Sequence, residues 1–247
     1  MEVVGDLLAR DRRSRNVALV TAEGSERTYH DLITNGYKAA NVLRHLGARE
    51  GSTVAVHPEP AFHTVLAFLG AARLGAAVRF DPVAGVDAGD RVVLAPVNVE
   101  SEVKPEPGTN LVVFGGPPER PETTHWEAEL WSENPGTPPS EVGPDDRLVR
   151  GLAGDDATHR EILAAAASVV DEHGVDGGTR VVLRSDFSDA RALAAGVVAP
   201  LSVGGTVVLA AKDGAGDAGG PQGDIAVAAP DATPPEPRAV SLAALLA

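Results

Sequence analysis

The sequence contains no cysteine and only three lysines, and these absences limit what the chain can do. Without cysteine it has no disulfides, no thiolate zinc site and no cysteine nucleophile. No apolar run approaches the roughly 20 residues that a membrane-spanning helix requires. The first fifteen residues alternate acidic, apolar and basic side chains, a pattern typical of neither a signal peptide nor a transit peptide. We therefore expect a cytoplasmic protein without a membrane partner.

The charged residues are mainly acidic. Asp and Glu number 35 against 21 Lys and Arg, which gives a formal charge of −14 over 247 residues. This balance argues against nucleic-acid binding, because the phosphate backbone requires basic patches. Many acids with few lysines suit concentrated salt, where repulsion between carboxylates is screened to within about 3 Å at 1 M. The composition thus favours a halophilic source, with an ordinary acidic protein as the alternative.

Hydrophobic periodicity predicts strands that alternate with helices in both halves of the chain. A Pro-, Glu- and Thr-rich stretch, 116–144, separates the halves and contains one helical turn around Trp126. The predicted strands are 17–21, 53–57, 76–80, 91–95, 111–114, 179–183, 206–211 and 225–229. The predicted helices begin at Thr28, Pro60, Thr158, Ser188 and Val240. This order predicts parallel sheets covered by helices.

The two halves share their helix-start and glycine signals. Thr28 with Asp31, and Thr158 with Glu161 130 positions later, form capping-box patterns. The predicted fold class is therefore α/β, with two related βαβ-type subdomains of mainly parallel sheets flanked by helices. Their predicted bounds are 1–115 and 145–247, joined by the connection 116–144. A duplication is favoured, although unrelated right-handed βαβ units can share such signals.

Three motifs of the first half resemble the opening of the adenylate-forming ligases, which include acyl-CoA synthetases, luciferases and peptide-synthetase adenylation domains. They are Thr28-Tyr29-x-x-Leu32, Gly47-x-x-x-Gly51 before a strand, and Phe68-x-Gly70-x-x-x-x-Gly75-Ala76. In the second half, Thr158-His159-x-x-Ile162 resembles the family's Thr-His-x-Asn-Leu helix start. Pro200-Leu201-x-x-Gly204-Gly205 is similar to its Pro-Leu-x-x-Gly-Gly segment. The resemblance covers nearly the whole chain and implies the fold of the N-terminal domain of AMP-forming acyl-CoA synthetases.

The chain departs from this family at the phosphate loop. Between the strand that begins at Asp145 and the helix at Thr158, the family has a Thr/Ser/Gly-rich loop ending in Pro-Lys-Gly that binds ATP phosphates. Here residues 148–157 contain no lysine and no hydroxyl side chain, and they add two aspartates. The degenerate loop region comprises Gly151, Gly154, Asp155, Asp156, Thr158 and His159. Two partly desolvated carboxylates would each repel a triphosphate by about 4 kcal/mol at 4 Å.

The resemblance also implies what the sequence lacks beyond this loop. The chain ends before the family's adenine-binding aromatic motif, its ribose-binding aspartate and its small C-terminal domain with the catalytic lysine. We therefore expect no ATP-dependent adenylation, no catalytic residue and no cofactor, since binding of ATP or AMP is doubtful. Whether the chain is an enzyme at all stays open; if so, it is an acid–CoA ligase that works with another chain.

Other motifs carry weaker signals. Gly214-x-Gly216-x-x-Gly219 matches a dinucleotide fingerprint, but a strand follows where a helix is required, so a surface loop is expected. The histidines show no paired metal spacing, and no metal site is expected. His159 is interpreted as a solvated residue at a helix start.

These observations predict a non-catalytic acyl-CoA synthetase-like protein with a ligand-binding or partner-binding role. The ligand would be a small acyl or nucleotide-like molecule. The groove between the two βαβ units is the predicted pocket, because open α/β sheets bind ligands beyond the carboxyl ends of their strands. Two alternatives remain: half of a split AMP-forming acyl-CoA ligase completed by another chain, and a purely structural subunit of a complex.

Overall fold

The computed structural model describes residues 1–151, 156–211, 220–229 and 232–245. The predicted Gly214–Gly219 motif therefore lies outside the described residues. The α-helices are α1 (Tyr29–His45), α2 (Phe62–Leu74), α3 (Trp126–Ser132), α4 (His159–His173), α5 (Ala190–Leu193) and α6 (Ala199–Val203), with a π turn, Ala194–Val198, joining the last two. Four 3₁₀ helices occur within the described ranges, at Val4–Leu8, Arg10–Arg12, Val97–Val99 and Leu242–Ala244.

The strands follow the predicted order closely. They are β1 (Val17–Val20), β2 (Glu26–Thr28), β3 (Thr53–Val56), β4 (Ala77–Phe80), β5 (Asp90–Pro96), β6 (Asn110–Phe114), β7 (Thr124–His125), β8 (Arg147–Val149), β9 (Ala157–Thr158), β10 (Arg180–Leu183), β11 (Thr206–Leu209), β12 (Ile225–Val227) and β13 (Arg238–Val240). The short strands β2, β7, β9 and β13 were not predicted from periodicity, because two or three residues give too little pattern.

Local sequence fixes the ends of the main helices. The Thr28 hydroxyl accepts a hydrogen bond from the Asp31 N–H at 3.1 Å, and the Asp31 carboxylate accepts from the Thr28 N–H. Thr158 and Glu161 form the same reciprocal cap at α4. Helix α2 ends where Gly75 adopts φ 72°, a left-handed conformation that favours glycine. The capping boxes and this glycine stop are thus confirmed.

The strands form two mainly parallel sheets. The six-stranded sheet has the order β13-β12-β10-β11-β1-β2, and the seven-stranded sheet has the order β7-β6-β5-β3-β4-β8-β9. Only the hairpin pairs β1–β2 and β8–β9 are antiparallel among the strands described. The α/β fold with mainly parallel sheets and flanking helices is therefore confirmed.

Each half of the chain contributes its first hairpin to the other half's sheet. Strand β1 of the first half pairs with β11, whereas β8 of the second half pairs with β4. In the six-stranded sheet the strand order includes β10-β11-β1-β2, and in the seven-stranded sheet it includes β3-β4-β8-β9. In both sets, two strands of one half are followed by the hairpin of the other half, so the two sets have the same topology. This equivalence supports a duplication, but neither sheet is confined to the range 1–115 or 145–247. The connection 116–144 supplies β7 and α3, so the three ranges do not separate the sheets.

The main hydrophobic core runs through the helices and one face of each sheet. Helices α1 and α2 approach closely at Gly70, where an added Cβ would lie 2.9 Å from the Ala40 backbone nitrogen. The 3₁₀ helix Val4–Leu8 packs on both, with Leu8 occupying the space that Gly36 leaves open. The N-terminal segment is therefore part of the core.

The predicted helix from Val240 to Leu246 is wrong over its described part. Val240 instead ends strand β13, which pairs in parallel with β12 through Val227 and Val240. One 3₁₀ turn, Leu242–Ala244, follows. The apolar spacing of this segment reflects burial of Val240, Leu242 and Leu245 against the core rather than a helical face. None of the helices in the described ranges is long and apolar enough to span a membrane.

Candidate functional site

The predicted phosphate-loop region follows β8 at the edge of the seven-stranded sheet. Gly154 and Asp155 lie outside the described residues. The Gly151 N–H donates to Asp156 Oδ1 at 3.2 Å, and Asp156 Oδ2 pairs with Arg147 Nε at 2.7 Å. The Thr158 hydroxyl and N–H are both bonded to Glu161. The Gly151 N–H and both donors of Thr158 therefore already have partners within the chain.

The entry to the loop is connected to a buried ion pair. Arg79, on β4, pairs with Asp90 at 2.5 Å, and both side chains are almost fully buried. Asp87 lies 3.8 Å from Arg79 and 3.2 Å from Arg150, which directly precedes Gly151. This network holds the 81–90 loop against the end of β4. The sequence predicted a strand at 76–80 but assigned no role to Arg79 within it.

His159 is fully buried, so its interpretation as a solvated helix-start residue was wrong. Its Nδ1 accepts a hydrogen bond from the Val4 N–H at 3.1 Å, and its buried Nε2 has no partner among the described residues. Burial lowers the pKa of His159 to about 4, against the opposing charges of Asp146 and Asp6. A neutral imidazole therefore joins helix α4 to the N-terminal 3₁₀ helix.

A groove of about 1000 Å³ lies between the two sheets. It opens at the carboxyl ends of β1 and β11 in one sheet and of β3, β5 and β6 in the other. This is the position that the sequence predicted for a pocket. One wall, from the β1–β2 hairpin and α1, is polar and includes Thr21, Glu23, Ser25, Arg27, Asn35 and Lys38. The other, from the strand ends, α2 and α3, includes Pro60, Phe62, Leu66, Phe114, Leu130 and Trp131.

A histidine–glutamate cluster lies on the apolar side of the groove. Glu127 Oε1 accepts from the Gly115 N–H at 2.7 Å and lies 3.6 Å from His63 Nε2. His125 Nε2 lies 3.3 Å from Glu127 Oε2. Burial lowers the pKa of His63; the Glu127 carboxylate opposes this effect, and Arg27 adds to it. Glu127 thus joins α3 to the end of β6 through the Gly115 N–H, with His63 of α2 beside it.

Sequence reasoning missed this cluster because His63 and Glu127 are far apart along the chain. The available signal was positional: His63 follows β3, and Gly115 follows β6, so both come after strands of one parallel sheet that are separated only by β5. Within the residues described here, no group of three or more His, Cys, Asp or Glu side chains is arranged to hold a metal ion.

A family model described as AMP-binding enzyme matches residues 9–80. This range runs from the second 3₁₀ helix to the end of β4 and includes the capped helix α1 and the glycine contact between α1 and α2. No curated protein sequence matches the chain.

Solved CoA ligases share most of the structure. A benzoate CoA ligase from Burkholderia xenovorans gives a TM-score of 0.76 at 19% identity, covering 92% of this chain and 50% of that one. An anthranilate CoA ligase in complex with anthranoyl-AMP gives 0.75 at 17%, covering 91% and 49%. The N-terminal domain of FACL13 from Mycobacterium tuberculosis gives 0.72 at 23%, covering 87% and 58%. This chain has the fold of the N-terminal region of AMP-forming acyl-CoA ligases.

The AMP-forming ligase fold is shared over nearly the whole chain, whereas the chain spans about half the length of the ligases it matches. The resemblance stated from the Thr28, Gly70 and Thr158 motifs is therefore confirmed at the level of the fold. Gly205 shows the physical basis of one motif, because a Cβ there would lie 2.8 Å from the Asp176 carbonyl oxygen. Close backbone packing thus explains Gly70 and Gly205, whereas Gly47, Gly51 and Gly204 are explained by their positive φ.

Proposed function

We propose that this protein is a non-catalytic relative of the AMP-forming ligases that keeps their fold but does not adenylate a carboxylate. One observation carries the proposal: the described residues of the phosphate-loop region bond to one another, Gly151 to Asp156 and Asp156 to Arg147. A triphosphate there would have to displace Asp156 from the Gly151 N–H and from Arg147. It would also face the Asp156 carboxylate, at a cost of about 4 kcal/mol at 4 Å and an effective dielectric near 20.

The role that remains is binding in the groove between the sheets. The groove is lined by one polar and one apolar wall and lies beyond the strand carboxyl ends, where α/β proteins bind ligands. The protein thus acts as a ligand-binding or partner-binding module, without ATP or AMP as a cofactor.

ATP–pyrophosphate exchange and a thermal-shift screen test this proposal, both in molar salt. We expect no exchange with benzoate, anthranilate or fatty acids, under conditions where a benzoate CoA ligase exchanges. ATP and AMP should not raise the melting temperature. A ligand that binds would be detected, because at 100 times its Kd it stabilises the folded protein by about 2.7 kcal/mol. Exchange that depends on an added acid would contradict the proposal.

A variant pair tests the physical reason. Asp156→Ser removes the carboxylate that occupies the loop, so ATP should begin to stabilise this variant. Asp171→Ser makes the same charge change at the exposed far end of α4 and should leave ATP without effect. An equal response of the two variants would mean that the loop carboxylate does not exclude the triphosphate.

A split ligase is the second candidate; the chain spans about half the length of the matched ligases. In that case a second chain with the remaining ligase segments should bind this protein and restore exchange on mixing. We expect no exchange in such a mixture, because the phosphate-loop region lies on this chain.

A further inference from the structure

Trp131 is the most exposed large apolar side chain of the described residues, with 88% of its surface accessible. It lies in the last turn of α3 on the rim of the groove, whereas Trp126, in the first turn of the same helix, is fully buried. Tryptophan is enriched among the side chains that anchor protein partners, because it offers a large rigid apolar surface. The rim therefore carries an aromatic anchor with nothing packed over it.

The apolar wall extends this surface into the groove. Phe62, Leu66, Phe114 and Leu130 line it beside Trp131. The rings of His63 and Phe114 lie 5.2 Å apart in this wall. Leu66, Phe114 and Leu130 are themselves buried, so Trp131 and the half-buried Phe62 supply the apolar surface that a partner can contact.

The charges of the groove favour a cation. Its lining contains four carboxylates and two cationic side chains: Glu23, Asp31, Glu59, Glu127, Arg27 and Lys38. Lys38 Nζ donates to the Leu130 carbonyl at 3.0 Å, and the Arg27 guanidinium lies over the Phe62 ring at 5.5 Å.

Two of the carboxylates remain available to a partner. Glu23 has no hydrogen bond or ion pair to any residue described, and Glu59 has only His57 at 4.0 Å. Together with the net charge of −14, these groups attract a positively charged segment and repel an anion.

We infer that this groove docks a positively charged amphipathic segment of a partner protein. Leu or Phe side chains of the segment pack on Trp131 and the apolar wall, and its Lys or Arg side chains pair with Glu23 and Glu59. A second copy of this chain fits less well, since each copy carries −14. The inference rests on the proposed binding role of the groove and names the occupant.

Fluorescence anisotropy with synthetic peptides tests the inference on the full chain. One labelled peptide of about 18 residues, five helical turns, carries Leu on one face and Lys and Arg on the other. The second carries Glu in place of Lys and Arg. We expect binding of the cationic peptide alone, with Trp131 protected from acrylamide quenching. Affinity should fall between about 0.15 M and about 2 M KCl without vanishing, because salt screens charge but not apolar contact.

Variants locate the binding. Trp131→Ala should weaken it by about 30-fold, as for a hot-spot residue, whereas Val203→Ala, another exposed apolar site, should change it less than about twofold. Glu59→Lys should weaken it about tenfold. Glu106→Lys, the same charge change near the amino end of β6, should have almost no effect.

Three outcomes would overturn the inference: no binding of the cationic peptide, equal binding of the acidic one, or equal losses from Glu59→Lys and Glu106→Lys. If Trp131 quenching instead responds to benzoate or an acyl-CoA and to neither peptide, the partner inference fails while the groove remains a ligand site. Adenylation activity, by contrast, would refute the proposed function without any change in peptide binding.

Discussion

Acidification from pH 7.5 to 4.5 should destabilise this protein through His159 by an amount that the structure predicts. Burial lowers the pKa of the folded-state imidazole to about 4 from its ordinary 6.5. The folded state therefore binds this proton less readily than the unfolded state does. The corresponding stability is fully present above pH 6.5 and is lost as the pH falls from 6.5 through 4.

The magnitude follows from the two pKa values. A difference of about 2.5 pH units corresponds to at most about 3.4 kcal/mol, of which roughly 2.5 kcal/mol is lost by pH 4.5. Structurally, a proton on Nδ1 replaces the acceptor of the Val4 N–H by a donor. The 3₁₀ helix Val4–Leu8 then loses its hydrogen bond to α4, so we expect faster amide exchange at Val4 in the same pH range.

Urea unfolding of the wild type and of His159→Asn at both pH values measures this effect. The Asn side-chain oxygen can take the place of Nδ1 as acceptor but does not titrate. We expect the variant to be less stable by about 1–2 kcal/mol at pH 7.5, because a small cavity remains, and to match or exceed the wild type at pH 4.5. Comparing the two proteins removes the contribution of the carboxylates, which also titrate in acid. His45→Asn, at an exposed site, is the control.

The result that would refute this reasoning is an equal loss of stability in the wild type and in His159→Asn between the two pH values. The imidazole would then be protonated in the folded state as readily as in the unfolded chain. The hydrogen bond from Val4 could not be the contact that acid breaks.

Three further predictions concern stability. Arg79→Met leaves Asp90 buried without its partner and should lower the free energy of unfolding, measured in urea, by about 3–5 kcal/mol. Arg91→Met, at the exposed residue that follows Asp90 in β5, should be nearly neutral. Gly70→Ala places a Cβ 2.9 Å from the Ala40 nitrogen and should cost about 1–3 kcal/mol, unlike Gly136→Ala, whose nearest neighbour would be at 3.9 Å. Thr158→Ala removes the α4 cap and should lower the melting temperature by about 2–4 °C. Thr28→Ala, which removes the α1 cap, should cause the same loss. A Thr→Ser change at either position that fails to restore stability would contradict the capping explanation.

Local features of the fold were predictable from the sequence because they depend on neighbouring residues. Helix starts at Thr28 and Thr158 and the helix end at Gly75 follow from caps and backbone conformation alone. The hairpin exchange was not predictable, because β1 pairs with β11 about 190 positions later and nothing in either strand encodes its neighbour. Strands β2, β7, β9 and β13 were missed for the same reason: pairing defines them, not periodicity.

The candidate site was predictable in position but not in composition. The carboxyl ends of parallel strands must meet at one edge, so a groove was expected there. Its four carboxylates and exposed Trp131 come from the β1–β2 hairpin, α1, the β3–α2 loop and α3, whose packing depends on long-range contacts. His159 was misinterpreted because its burial depends on Val4, 155 positions away.

The two halves of the chain use the residue after each capping threonine in the same way. Tyr29 and His159 are equivalent positions, each the first residue after a capping threonine, and both are buried. The Tyr29 hydroxyl donates to the Gly205 carbonyl at 2.7 Å, and His159 accepts from the Val4 N–H; each bond crosses from one half of the chain to the other. Burial raises the pKa of Tyr29 to about 12, so it stays a donor at every physiological pH. The residue after each cap therefore fastens the two halves together, and this role needs no nucleotide in the loop that precedes α4.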